Sequence, residues 1–227
     1  MLVGHVDDCI GAADTKSCFQ RFIKRFKYPL SSCGALSFVL KIKVRKAHNC
    51  VFLSQTSYID EMVAKFGMAD ANPKLTPMEP GLKLSKAQQP EIGSAEHELM
   101  AKTPYRQLLG ALLYASENRP DIKGPLSVLA RFGHNPASLH WKALKRVLVY
   151  LYTTRGRELC LGRGIKDNTQ DALTIFVDAD HCGCQDTKRP TSGVMISLRG
   201  STIDCISKRQ GPVSNSTPAS KLIALQK

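Results

Sequence analysis

The sequence predicts an α+β chain in which two β-rich ends enclose a block of helices. Three observations carry this. Residues 36–44 form an apolar run that ends in strict alternation of Lys with Ile and Val, the period of a half-buried strand. Residues 105–154 hold three apolar stripes at helical spacing, with short connections between them. Residues 173–207 return to short β-branched runs punctuated by Arg199-Gly200.

Taken in order, Leu2-Val3-Gly4-His5-Val6 and Cys9-Ile10-Gly11-Ala12 read as a hairpin turning at Asp7-Asp8. Residues 15–26 read as a helix, with Phe19, Phe22, Ile23 and Phe26 on one face and Lys16, Arg21, Lys24 and Arg25 on the other. The strand at 36–44 turns at His48-Asn49 and returns through Val51-Phe52-Leu53. A helix near 55–66 is closed by Gly67. Residues 69–104 hold Pro73, Pro77, Pro80, Pro90 and Pro104, and read as a connection with little regular structure. Helices are expected over 105–117, 122–132 and 137–154, the first opened by Thr103-Pro104. The third turns Leu144, Val147, Leu148 and Leu151 inward and leaves Lys142, Lys145 and Arg146 to solvent. Strands follow at 173–178, 193–198 and 202–207, and the tail from Pro218 to Gln226 starts a helix. There is no internal repeat.

Composition narrows the function classes. Hydrophobic residues make up 43% and charged residues 22%, which excludes disorder throughout. The net charge of +13 favours an acidic partner such as nucleic acid or an anionic surface. Residues 1–50 carry nine basic and three acidic residues, 51–100 four and seven, and 101–150 eight and two. Two basic blocks therefore flank an acidic stretch, as two patches of one nucleic-acid track or as solvated helix faces. No apolar run has the length of a membrane span, and the start lacks the basic region and apolar core of a signal peptide. The expectation is an intracellular protein, cytoplasmic or nuclear, without a membrane partner. Its eight cysteines then read as reduced thiols. His181-Cys182-x-Cys184 is the tightest group, and a zinc site would want a second ligand pair at finger-like spacing.

Two carboxylate groups can carry chemistry. Asp7-Asp8 at a hairpin tip can bind a divalent metal, and Mg²⁺ prefers a few carboxylates plus phosphate oxygens. Asp is also a common turn residue. Asp178 and Asp180 stand at i and i+2 at a strand end and point to one face, with Asp186 in the following turn. Solvated turn carboxylates are the alternative.

A longer series of motifs begins with His5-Val6-Asp7-Asp8. Phe52-Leu53-Ser54-Gln55-x-x-Tyr58, Thr76-Pro77-Met78, Tyr105-Arg106-x-Leu108-x-Gly110 and Arg119-Pro120-Asp121-Ile122 follow it along the chain. So do His134-Asn135-Pro136 and His140-Trp141-x-Ala143-x-Lys145-Arg146-x-Leu148-x-Tyr150-Leu151. Asp178-Ala179-Asp180, Asp186-Thr187-x-Arg189-x-Thr191-Ser192-Gly193 and Ser207-Lys208-Arg209-Gln210 complete the series. In this order the motifs resemble the Pol polyprotein of copia-type LTR retrotransposons, across the end of reverse transcriptase and the start of ribonuclease H, and His5-Val6-Asp7-Asp8 is similar to the polymerase Tyr-Val-Asp-Asp motif.

The resemblance implies a partial reverse-transcriptase palm and start of the thumb over 1–68, a Pro-rich connection over 69–104, and a helical thumb/connection bundle over 105–156. An incomplete ribonuclease H-like sheet over 170–227 follows. It implies Asp7 and Asp8 as polymerase metal carboxylates, Asp178 as the first ribonuclease H carboxylate and Asp180 as a further metal ligand. Mg²⁺ is the cofactor of the intact family, and its partner is an RNA/DNA template–primer or hybrid. Lys142, Lys145 and Arg146 would then touch phosphates.

The departures point to a piece truncated at both ends and inactive by itself. An upstream polymerase Asp is not in the chain. His5 replaces a Tyr, and Lys41 stands where Gly is usual. His181 and Cys205 replace Trp residues. Lys221 stands at the ribonuclease H Glu, where a cation repels Mg²⁺, and Pro218 is expected to break the helix start. The competing expectations are a residual sequence-independent nucleic-acid-binding module and a cytosolic zinc or redox protein built on Cys182 and Cys184.

Overall fold

The computed structural model describes residues 2–5, 8–25, 27, 34–47, 49–162, 173–180, 183–213 and 216–226, and of residues 2, 3, 5 and 8 the backbone alone. Strand β1 (Leu2–His5) pairs antiparallel with β2 (Asp8–Gly11), with His5 opposite Asp8. The register of a tight hairpin is fixed by its loop, and this one places Asp8 in the second strand rather than in the turn. Asp7 lies outside the described residues. Helix α1 (Lys16–Lys24) starts at Thr15, whose hydroxyl accepts from the Cys18 N–H at 3.2 Å, and it buries no residue fully.

The strand expected over 36–44 is instead a hairpin, β3 (Phe38–Val39) and β4 (Ile42–Ala47). Leu40 (φ 47°) and Lys41 (φ 60°) both sit in the left-handed region, as a two-residue turn of this hand requires. Strand β5 (Cys50–Ser54) pairs next, after Asn49 at φ 61°. The fourth strand, β6 (Leu159–Gly162), arrives from across the helical block and pairs with β5, so the sheet order is β3-β4-β5-β6. A strand of four residues carries too little pattern to stand out in the sequence.

Helix α2 (Thr56–Lys65) ends as expected before Gly67, which adopts φ 62°. The Pro-rich stretch is more ordered than expected. It contains α3 (Ala95–Lys102), capped by the Ser94 hydroxyl on the His97 N–H, and a 3₁₀ turn over Lys86–Gln88. Only Met100 of α3 is buried, so the helix lacks the apolar stripe that would announce it.

Helices α4 (Tyr105–Ala115), α5 (Lys123–Leu129) and α6 (Ser138–Thr153) match the expected block. Leu108, Leu112, Ile122, Leu126, Leu129, Leu144, Leu148 and Leu151 meet in a core that solvent does not reach. Ile59, Met62 and Val63 of α2 complete it, so the bundle has four helices rather than three.

The last sheet is the expected meander of β7 (Leu173–Ala179), β8 (Thr191–Leu198) and β9 (Ser201–Arg209). Arg199 (φ 51°) and Gly200 (φ 77°) form its tight turn. Helix α7 (Thr217–Leu225) follows, its Ser216 hydroxyl accepting from the Ala219 N–H. Pro218 does not break it: proline in a first helical turn loses no hydrogen bond, because that N–H has no partner within the helix. No helix among the described residues is long and apolar enough to cross a membrane.

Candidate functional site

The carboxylates of the last sheet are separated by their partners. Asp178, on β7, is exposed, and its Oδ1 lies 3.2 Å from Lys221 Nζ of α7. The Ala179 N–H and then the Lys221 ammonium hold its carboxyl below the usual carboxylate range. Asp180 has a different partner. Its carboxylate accepts from the Thr191 backbone N–H, and its own N–H donates to Thr191 O at 3.2 Å. The chain passes so close that a Cβ at Gly183 would stand 1.7 Å from Asp180 Oδ2. Asp186 accepts from the Lys86 N–H at 2.8 Å, which ties the sheet to the 3₁₀ turn of the Pro-rich stretch. Three carboxylates that are near in sequence therefore serve three different donors. Among the described residues no group of three or more His, Cys, Asp or Glu can hold a metal ion. Asp178 with an ammonium as its neighbour does not fit a dication.

Cys184, one of the two cysteines of the zinc or redox expectation, is buried in the turn between Asp180 and β8. Burial pushes its thiol up, but donors from Thr187, Arg209 and Asp186 outweigh that and bring it down to about 7. Cys182, its companion in the zinc reading, lies outside the described residues. Likewise Asp7 and the side chain of Asp8 lie outside the described residues, so the structure gives no geometry for the expected metal pair.

The basic face of α6 divides into three environments. Lys142 is exposed. Lys145 Nζ lies over the Trp141 ring, 5.6 Å from its centre. Arg146 is a tie: Nη2 and Nε donate to the Thr76 hydroxyl (2.9 Å) and carbonyl (3.2 Å), and Nη1 pairs with Glu79 at 3.1 Å. Arg146 thus fastens Thr76-Pro77-Met78 to the bundle.

Other motif residues act similarly. Buried Arg119 grips Asp121 through two bonds of 3.0 and 2.7 Å and reaches the Thr154 carbonyl and hydroxyl at 3.1 and 2.7 Å. The Tyr150 hydroxyl donates to Asp121 at 2.6 Å, and Arg157 donates to Tyr150 at 3.0 Å. Tyr105 donates to Leu129 O at 2.9 Å, and Arg106 Nε to Gly133 O at 2.6 Å. His140 is fully buried and stacked on Phe132 at 3.9 Å, and its Nδ1 accepts from the Ala137 N–H at 2.9 Å. Burial drives its pKa below the usual imidazole value.

Comparison with known proteins places these motifs. The chain is 36% identical over 200 residues to the retrovirus-related Pol polyprotein from transposon TNT 1-94 of Nicotiana tabacum. It is 35% identical over 222 residues to the Pol polyprotein from transposon RE1 of Arabidopsis thaliana. These matches cover 87% and 96% of this chain, which spans only 15% and 14% of those polyproteins. An uncharacterized mitochondrial protein of Arabidopsis thaliana is 30% identical over 226 residues, covering 99% of this chain and 89% of that protein. No family model and no solved structure matches.

Proposed function

The chain belongs to the family of retrovirus-related Pol polyproteins of transposons, and from that premise we propose that it is the stretch joining reverse transcriptase to ribonuclease H, binds nucleic acid, and does not hydrolyse RNA at Asp178. The proposed units are palm and start of thumb over 1–68, connection over 69–104, thumb/connection bundle over 105–156 and ribonuclease H-like sheet over 170–227. Asp7 and Asp8 are the proposed polymerase carboxylates, with Mg²⁺ as the metal of the intact family. Template–primer or hybrid is the proposed partner, and the +13 charge supports it.

The observation that carries the hydrolytic part is the ion pair of Asp178 with Lys221. Hydrolysis of a phosphodiester by two metals needs several carboxylates converging on them. Here one carboxylate faces an ammonium, and Asp180 and Asp186 are committed to backbone N–H groups. The test is an RNA–DNA hybrid incubated with the purified 227-residue chain and its Lys221→Glu variant in Mg²⁺ or Mn²⁺. Neither cleaves the RNA strand, because the substitution frees Asp178 but leaves the other two carboxylates where they are. Cleavage by either protein that is lost on Asp178→Asn overturns the proposal.

A further inference from the structure

We propose that an acid-free cleft between α3, the first turn of α4 and the turn at 133–136 holds a phosphate of a bound nucleic-acid strand, an inference that rests on the reading of the chain as a nucleic-acid binder. The cleft has a volume of about 430 Å³, and no Asp or Glu lines it. That volume lies in the range of small-ligand sites, roughly 300–1,000 Å³, and suits a nucleotide unit better than a bare ion. His97 comes from α3, Arg106 and Gln107 from α4, and His134 and Asn135 from the turn. The apolar part of the wall, Met100 among it, gives a sugar or base a surface to lie on.

Arg106 is preset for such a ligand. Its Nε is spent on Gly133 O at 2.6 Å. Its two terminal nitrogens have no protein partner among the described residues. A guanidinium anchored in this way presents a planar pair of donors, the geometry that phosphate oxygens accept bidentately. His97 is oriented too, since its Nδ1 accepts from the Gly93 N–H at 3.5 Å, which leaves Nε2–H as the donor. His134 is exposed and makes no hydrogen bond to a described residue. The Asn135 amide nitrogen is held by Pro90 O at 3.0 Å, fixing the far side of the turn. Every charged group that the cleft offers is therefore a cation or a potential one. In a chain of this net charge an anionic ligand meets no opposing carboxylate in the wall.

The test uses the 227-residue chain and two variants, Arg106→Gln and His134→Ala, with a fluorescent RNA–DNA hybrid titrated across a range of salt. Arg106→Gln should weaken hybrid affinity about tenfold, the scale of one charge-assisted hydrogen bond. It should also flatten the log–log salt slope by about 0.9, the loss of one phosphate contact. His134→Ala should weaken affinity without changing the melting temperature, because the side chain is exposed and serves no structural bond. In parallel, inorganic phosphate should shift the ring resonances of His97 and His134 in the NMR spectrum. Wild-type hybrid binding with both variants unchanged overturns the cleft and leaves the function standing. No hybrid binding by the wild type overturns the function itself. Histidine shifts without hybrid binding assign the cleft to free phosphates and overturn the strand proposal. Competition by polyglutamate as strong as by DNA overturns it in favour of an acidic peptide.

Discussion

Arg119 and Asp121 show how one short motif is used. Arg119 is 5% exposed, and a guanidinium so enclosed is costly unless its donors are met. Asp121 meets two of them, and Thr154 two more. Burial alone would raise the Asp121 pKa, but the bonds from Arg119 and Tyr150 outweigh it, so the carboxyl titrates below its ordinary value. The sign follows from linkage. The stabilisation is fully present above the unfolded pKa of about 3.9 and is lost as pH falls through the lower folded value. Asp121→Asn should cost roughly 2 kcal/mol at pH 7, less than a fully buried pair because Thr154 still holds Arg119. The variant should also lose part of the acid sensitivity of the wild type, read from urea unfolding at pH 7 and pH 3. Arg146 and Lys142 separate in the same way. Arg146→Ala should lower stability by about 1–2 kcal/mol by releasing Thr76 and Glu79. Lys142→Ala should leave stability within about 0.5 kcal/mol and reduce the salt dependence of duplex binding. An Arg146 variant that unfolds like the wild type would remove its structural role.

At the scale of elements, the β3–β4 hairpin is held in a turn that its residues disfavour. A left-handed backbone costs an L-residue roughly 1 kcal/mol that glycine does not meet. Lys41 at φ 60° carries that cost. Its contact with Glu61 joins two exposed side chains and offsets little of it. Lys41→Gly should therefore raise stability by a few tenths to about 1 kcal/mol, measured as a shift of the denaturation midpoint; a decrease would mean that the ion pair outweighs the backbone. The resemblance implies glycine at this position, and the left-handed turn supplies the physical reason. The α7 helix teaches the converse. Pro218 reads as a breaker by type, yet by position it lies in the first turn, where it is compatible.

Across the whole molecule, a serine joins the two larger sheets. The Ser201 hydroxyl donates to Gly162 O at 2.7 Å and accepts from Gly162 N at 2.9 Å, joining β9 to β6. Gly162 leaves no room for a side chain, since a Cβ would stand 2.7 Å from Asn49 O. Ser201→Ala should cost about 1 kcal/mol by leaving a half-buried N–H and C=O without their partner. The loss should show as faster amide exchange at 159–162. Unchanged exchange there would mean that the sheets are held by other contacts. The net charge acts at this scale too. Hybrid affinity should fall steeply between about 50 and 200 mM salt if several phosphates are neutralised together.

The sequence by itself determined the elements whose signal is local: the bundle stripes, the closing glycine of α2, the meander with its Arg199-Gly200 turn, and the family, through motifs in fixed order. It also put Lys221 where the resemblance implies a carboxylate, whereas the ion pair of Lys221 with Asp178 is a finding of the structure. What only the tertiary structure decided are pairings between residues far apart in the chain. β6 exists because β5 offers an edge to it, and α2 joins the bundle because its apolar face meets α6. Arg146 became a tie rather than a free cation because Thr76 and Glu79 fold back onto it. Asp178, Asp180 and Asp186 parted because each found a nearer donor in another segment. Periodicity reports which face of an element is apolar. It carries no information on which distant segment that face, or that charge, will meet.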